Sequence, residues 1–184
     1  MTETVIGDFD QIPAYIPAEG DIFIRVKPID LISYWKRCGI LANFSAAFYA
    51  FTKENPKIQE NAISTVVNEL IENATKFSVK REAEVLVQMK LYDTVLKIQI
   101  ENLTTKHHFL KLQRQLKRLQ SNHDLENLYF ETLVAKSESP EDSGIGLLLI
   151  RKDYQIRLGA KFIESDGKYR VQIQALYVFD NVRN

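Results

Sequence analysis

Residues 20–27, G-D-I-F-I-R-V-K, alternate apolar and polar side chains and end at Pro28, a pattern that predicts a short strand closed by the proline. Helical spacing follows. Asp30 is placed to cap a helix over 31–38, Gly39 to interrupt it, and the aromatic-rich run from Ile40 to Phe51 to resume it before Asn55-Pro56. Pro56 suits the first turn of the next helix, about 57–78, in which Ile63, Val66, Val67, Leu70, Ile71, Ala74 and Phe77 recur with helical period. Residues 85–90 and 95–100 alternate on either side of Asp93-Thr94 and read as a hairpin. Helical spacing returns over 106–120, with Phe109, Leu112, Leu116 and Leu119 on one side. The segment that follows, through K-S-E-S-P-E-D-S-G at 136–144, is polar around Pro140 and predicts a mobile loop. A short helix at about 146–155 and strands at 160–164 and 168–178, joined by Asp166-Gly167, complete the chain. Hairpins with helices before and between them predict an α+β two-layer sandwich, with helices on one face of a mixed, mostly antiparallel sheet.

Composition narrows the function classes. At 184 residues the expectation is one domain, and 45% hydrophobic with 26% charged residues is an ordinary globular composition. Twenty-four basic residues balance twenty-four acidic ones, so no global field steers the chain to nucleic acid or an anionic membrane. Cys38 is the single cysteine, which excludes an intrachain disulfide and fits a reducing, cytoplasmic compartment. The N-terminus has no basic start with an apolar run, and no stretch reaches the roughly 18–20 apolar residues of a membrane span.

Candidate chemistry concentrates in two places. In N-E-L-I-E-N-A-T-K-F-S, Glu69, Asn73 and Lys76 stand at i, i+4 and i+7, within roughly 60° of one another on a helix. They form a polar stripe at the rim of the apolar face. A carboxylate there can accept a proton, an amide oxygen is a hard ligand for Mg²⁺, and an ammonium neutralises phosphate oxygens. The alternative is a solvated flank with a charge pair. In D-S-G-I-G-L, residues 142–147, Gly144 and Gly146 open a helical pattern and allow backbone N–H groups to approach an anion closely. A G-x-G alone is more often a turn.

The order of these parts, an acid-amide-lysine helix, a hairpin, a long insertion and a glycine-opened helix, resembles the GHKL superfamily. That is the ATP-binding fold shared by histidine kinases, gyrase B, MutL and the anti-sigma-factor serine kinases. E-L-I-E-N-A-T-K-F-S at 69–78 looks like its N box and S-G-I-G-L at 143–147 like the end of its second glycine box. The resemblance spans about 57–155, with a lid over about 103–143. It implies that Asn73 ligates Mg²⁺, that Glu69 polarises a water or acceptor hydroxyl, and that Lys76 neighbours phosphate. It further implies that Ser143, Gly144, Ile145, Gly146 and Leu147 hold the triphosphate of ATP. The chain departs from the pattern where an Asp-x-Gly-x-Gly box would follow the hairpin. Here it reads I-E-N-L-T-T-K-H-H, so Glu101 or Asn102 would be the acceptor for the base. Asp142 stands where the second box has its first glycine, an unfavourable charge beside phosphates unless a cation compensates.

His107-His108 is followed by Phe109 and lacks the surroundings of a phosphoacceptor histidine. The chain is therefore most similar to the small stand-alone branch, the anti-sigma-factor serine kinases and SiaB-like protein kinases. That branch implies Mg-ATP-dependent phosphorylation of Ser or Thr on a small STAS-domain partner in bacterial signalling. The other reading is a GHKL-like module that has lost nucleotide chemistry and works by docking.

Other features carry less. His107, His108 and His123 read as surface histidines, since neighbours on a helix point about 100° apart and cannot share one ion. Lys106, Lys111, Arg114, Lys117 and Arg118 read first as a solvated face, then as a protein-docking patch, with nucleic acid least favoured. Trp35, Phe44, Phe48, Tyr49 and Phe51 read as core, with a homodimer interface as the alternative. Cys38 reads as a packed thiol, and E-N-L-Y-F-E at 126–131 as helix or lid without a site.

Overall fold

The structure is a computed structural model, and it describes residues 1–13, 15–32, 36–51, 56–80, 83–138 and 145–179, with the side chains of 135–138 excepted. Trp35, Pro140, Asp142, Ser143 and Gly144 lie outside the described residues. The chain runs β1 (Thr2–Gly7), β2 (Gly20–Val26), α1 (Pro28–Ile32), α2 (Lys36–Ala50), α3 (Pro56–Lys76), β3 (Val85–Tyr92) and β4 (Val95–Thr104). It continues with α4 (Lys106–Ser121), α5 (Leu125–Glu138), α6 (Ile145–Tyr154), β5 (Arg157–Ser165) and β6 (Lys168–Val178).

Six strands form one sheet in the order β1-β5-β6-β4-β3-β2, and every pairing is antiparallel. The sheet is thus antiparallel throughout and not mixed. Alternation decides its faces: in β4, Leu96, Ile98, Ile100, Asn102 and Thr104 are buried while the residues between them are half-buried. The buried set meets the helices. The core lies between this face and α3, whose Ile63, Val66, Val67, Leu70 and Ile71 are each at most 1% exposed. Tyr49 of α2 donates to Met89 O of β3 at 2.7 Å, anchoring α2 over the β2 side of the sheet.

Several elements differ from the sequence expectation for identifiable reasons. β1 was not expected; it pairs along β5 from Thr2↔Glu164 to Gly7↔Gly159 and buries only Ile6, so its sequence carries little alternation. Asp30 lies within the first turn of α1 and does not cap it, because Pro28 itself starts the helix. Gly39 does not interrupt α2: open space surrounds it, and a helix tolerates the roughly 1 kcal/mol a glycine costs. Within the lid expected over about 103–143, α4 matches the helical spacing read over 106–120, and α5 is the added element, extending to Glu138 into the stretch expected as a loop. α4 is capped by Thr105, whose side chain accepts from His108 N. Phe44, Phe48 and Phe51 are exposed, and among the described members of that aromatic group only Tyr49 is core.

The link from β1 to β2 crosses from one edge of the sheet to the other over the face away from the helices. Asp8 N donates to Leu158 O at 3.0 Å, Asp10 N to Gln174 Oε1 at 2.9 Å, and Glu19 N to Leu91 O at 2.8 Å. Lys97 Nζ stands 3.3 Å from Asp10 Oδ1. Gly159 makes the crossing possible, since a Cβ there would overlap the backbone of Asp8 and Phe9. Among the described residues no helix is long and apolar enough to cross a membrane.

Candidate functional site

α3 supplies the first side chains. Its helical spacing sets Glu69 and Asn73 one turn apart on one flank, both half-buried, while Lys76 ends the helix in solvent with Nζ 5.2 Å from the Phe77 ring centroid. Lys76 does not line the cavity described below, so the expected three-residue stripe reduces to an acid and an amide there.

α6 packs its first turn onto this flank. A Cβ at Gly146 would overlap the Glu69 carboxylate and lie 3.7 Å from Asn73 Nδ2, so glycine is what lets the two helices close. Gly146 thus sets its backbone against the Glu69 carboxylate. The N-terminal turn of a helix favours a carboxylate. Burial nevertheless pushes the Glu69 carboxyl above its ordinary value, and the nearby charge of Glu72 pushes it further. Among the described residues Glu69 has no hydrogen-bond partner.

Next to Asn73 a slot opens between α3, α4, the ends of β4 and β6, and α6. It is lined by Asn73, Ala74, Phe77, Asn102, Thr104, His108, Lys111, Leu112, Gln115, Leu147, Val171 and Ile173. Its free interior is about 50 Å³, room for a few waters. β4 ties down the end of α3 that forms one wall. Asn102 Nδ2 donates to Ala74 O at 3.2 Å and to Leu103 O at 3.4 Å, and Thr104 Oγ1 donates to Phe77 O at 2.6 Å. The bonds to Ala74 and Phe77 satisfy carbonyls at the C-terminal end of α3, and the two from Nδ2 hold the Asn102 amide in one orientation.

The two acceptor candidates separate here. Asn102 is 7% exposed and lines the slot. Glu101 points to the opposite face of the sheet, where it accepts from Gln172 Nε2 at 2.6 Å and pairs with Arg170 at 3.3 Å. A strand reverses direction at each residue, so Glu101 cannot serve the slot. Leu147 is buried on its wall, Ile145 begins α6 half-buried, and Ser143 and Gly144 are outside the described residues.

The sequence reading missed the α4 wall. His108, Lys111, Leu112 and Gln115 stand at i, i+3, i+4 and i+7, the spacing of one helix face, and this is the signal that could have found them. His108 is not a plain surface histidine: its ring lies 4.8 Å from that of Phe77. His107 and His123 are exposed. No group of three His, Cys, Asp or Glu that could hold a metal exists among the described residues. A Mg²⁺ carried in with phosphates needs fewer protein ligands, one or two oxygens, and the amide oxygen of Asn73 is a group of that kind. Cys38 is fully buried, and burial pushes its thiol up, away from a reactive thiolate. No protein-family model matches the chain, and no curated protein matches its sequence.

Proposed function

We propose that the chain binds ATP with Mg²⁺ at the slot beside Asn73 and acts as a serine/threonine protein kinase on a small STAS-type partner. The observation that carries this reading is convergence: Asn73, Asn102 and Leu147, from three separate elements, line one slot, and Glu69 stands one turn back against Gly146.

The chemistry of the lining suits the parts of a nucleotide. Ala74, Leu112, Leu147 and Ile173 offer an apolar sleeve to a planar base, and Asn102, its amide hydrogens directed to Ala74 and Leu103, offers its Oδ1 as an acceptor to the base edge. His108 and Lys111 supply donors for an anionic end. Asn73 would hold Mg²⁺, which when bound screens phosphate charge and orients the transferred group. Glu69, with its carboxyl raised by burial, is suited to accept the proton of an attacking hydroxyl. Phosphoryl transfer asks the protein mainly for position and charge neutralisation, so this short set of groups is sufficient in kind. An interior of about 50 Å³ holds no nucleotide, so binding requires the slot to widen.

A second reading, a docking module of the same architecture without nucleotide chemistry, is favoured by two observations: the small interior, and the engagement of Glu101 with Arg170 and Gln172 away from the slot. Incubation with labelled ATP, Mg²⁺ and a STAS-domain protein separates the two. Label on the partner's Ser or Thr, lost in Glu69→Gln, is the expected result. A stable complex without transfer would establish the docking module instead.

A further inference from the structure

The sheet ends on β2, which pairs with β3 on one side and carries no backbone hydrogen bond on the other among the described residues. Natural edge strands are blunted by lysine, proline, a bulge or a covering loop. β2 has none of the first three: its sequence is G-D-I-F-I-R-V, and its register with β3 is unbroken from Gly20↔Leu91 to Val26↔Val85. A Cβ at Gly20, where β2 starts, would lie 3.6 Å from the rings of Phe48 and Tyr49. Where β2 ends, Arg25 and Lys27 share a groove with Arg37 and Ile40. These contacts set α2 antiparallel to the open edge. Ile40, Phe44 and Phe48 fall within about 80° of one another around the helix axis, and each is more than half exposed. The stripe they form opens into a groove at either end of β2, of about 580 Å³ beside Gly20 and about 550 Å³ beside Lys27.

We infer that this edge takes an extended segment of another protein as a seventh strand. A row of open backbone groups calls for a chain in the extended conformation, since only that supplies donors and acceptors at matching spacing. Seven residues at about 3.3 Å each cover β2, and their side chains alternate between the two faces of the sheet. Every second residue therefore lies on Ile40, Phe44 and Phe48 and is apolar. Charge fixes the ends. Arg25, Lys27 and Arg37 outnumber Asp30 and Glu84 in the groove where β2 ends. Lys27 is exposed and makes no ion pair among the described residues, while Arg25 is held by Glu84 at 3.5 Å. At the other end Glu19 is exposed and likewise makes no ion pair among the described residues, while Asp21 is held by Lys90 at 3.2 Å. The segment accordingly carries an acidic residue at the Lys27 end and a basic one at the Glu19 end. The concave grooves favour such a segment over a second copy. A twofold axis here sets groove against groove and fills neither, whereas one segment fills both.

Fluorescence anisotropy of a labelled heptapeptide, Lys-Val-Thr-Val-Thr-Val-Asp with blocked ends, tests this on the full chain and needs no nucleotide. The expected result is saturable binding, with amide deuterium exchange slowed in β2. A strand added at an edge uses the N–H groups of alternate residues only. N-methylation of one alternate set of the peptide therefore weakens binding by about tenfold or more, and N-methylation of the other set leaves it within about twofold. Ile40→Ser with Phe44→Ser weakens it by about tenfold, with unchanged circular dichroism. Lys27→Glu weakens it severalfold, and a peptide with Lys in place of the terminal Asp restores it. No binding at millimolar peptide overturns the inference. So does equal loss with either methylated set, or binding indifferent to the Ile40 and Phe44 changes. A dimer of the chain in which the β2 amides are already slow to exchange would likewise overturn it and assign the edge to a second copy.

Discussion

Glu69 sits half-buried against Gly146, one helical turn from Asn73, and burial first and Glu72 second raise its carboxyl above the ordinary value. A carboxyl whose pKa is raised on folding is easier to protonate in the folded state than in the unfolded one. Its contribution to stability is therefore fully present below the unfolded pKa and is lost as pH rises through the folded one. At neutral pH the ionised group is a burden, and Glu69→Gln removes it. Thermal melts should place the variant above the wild type at neutral pH, with the gap closing as pH falls through the carboxylate range. A gap that is absent at neutral pH, or that widens in acid, would contradict this assignment. Glu69 and Asn73 were legible in the sequence because one helix carries both and its period places them. The choice between Glu101 and Asn102 was also encoded, in the inward run Leu96, Ile98, Ile100 that continues to Asn102. His108 and Lys111 were not, because their role depends on where α4 lands against the sheet.

At the scale of elements, periodicity located α3, β3, β4, α4 and β6 to within a few residues, since each has one face in the core. β1 escaped because an edge strand that buries only Ile6 shows no pattern to read. α2 was legible as a helix, but which of its aromatics are buried was not: Phe44 is the more apolar side chain, yet it is Tyr49 that packs inward, its hydroxyl satisfied by Met89 O. The strap between β1 and β2 was invisible for a similar reason. Its few anchors, Asp8, Asp10 and Gln174, are polar contacts between residues far apart in the chain. It rests on Gly159, so Gly159→Ala forces methyl and strap apart. Overpacking of this kind costs on the order of 1–3 kcal/mol. Urea denaturation should show a midpoint lowered to match, whereas an unchanged midpoint would mean that the strap is not held against β5.

For the whole molecule, the α+β layering follows from the alternation of strand and helix patterns, but the slot belongs to no single segment. It exists because the end of α3, the ends of β4 and β6, the first turn of α6 and one face of α4 meet at one place. The slot has about 50 Å³ of free interior beside an acid-amide pair, so the proposed nucleotide would need it to widen. The central claim is that the site beside Asn73 binds Mg-ATP, and calorimetric titration of ATP with Mg²⁺, without Mg²⁺, and against Asn73→Ala tests it most directly. Asn73 is half-buried on the flank of α3, outside the apolar core, so the variant should keep its circular dichroism. Micromolar binding that weakens by about tenfold or more without Mg²⁺ and again in the variant, a difference of ~1.4 kcal/mol at least, is the expected result. No heat at millimolar nucleotide with a folded protein, or equal affinity in wild type and Asn73→Ala, would contradict it.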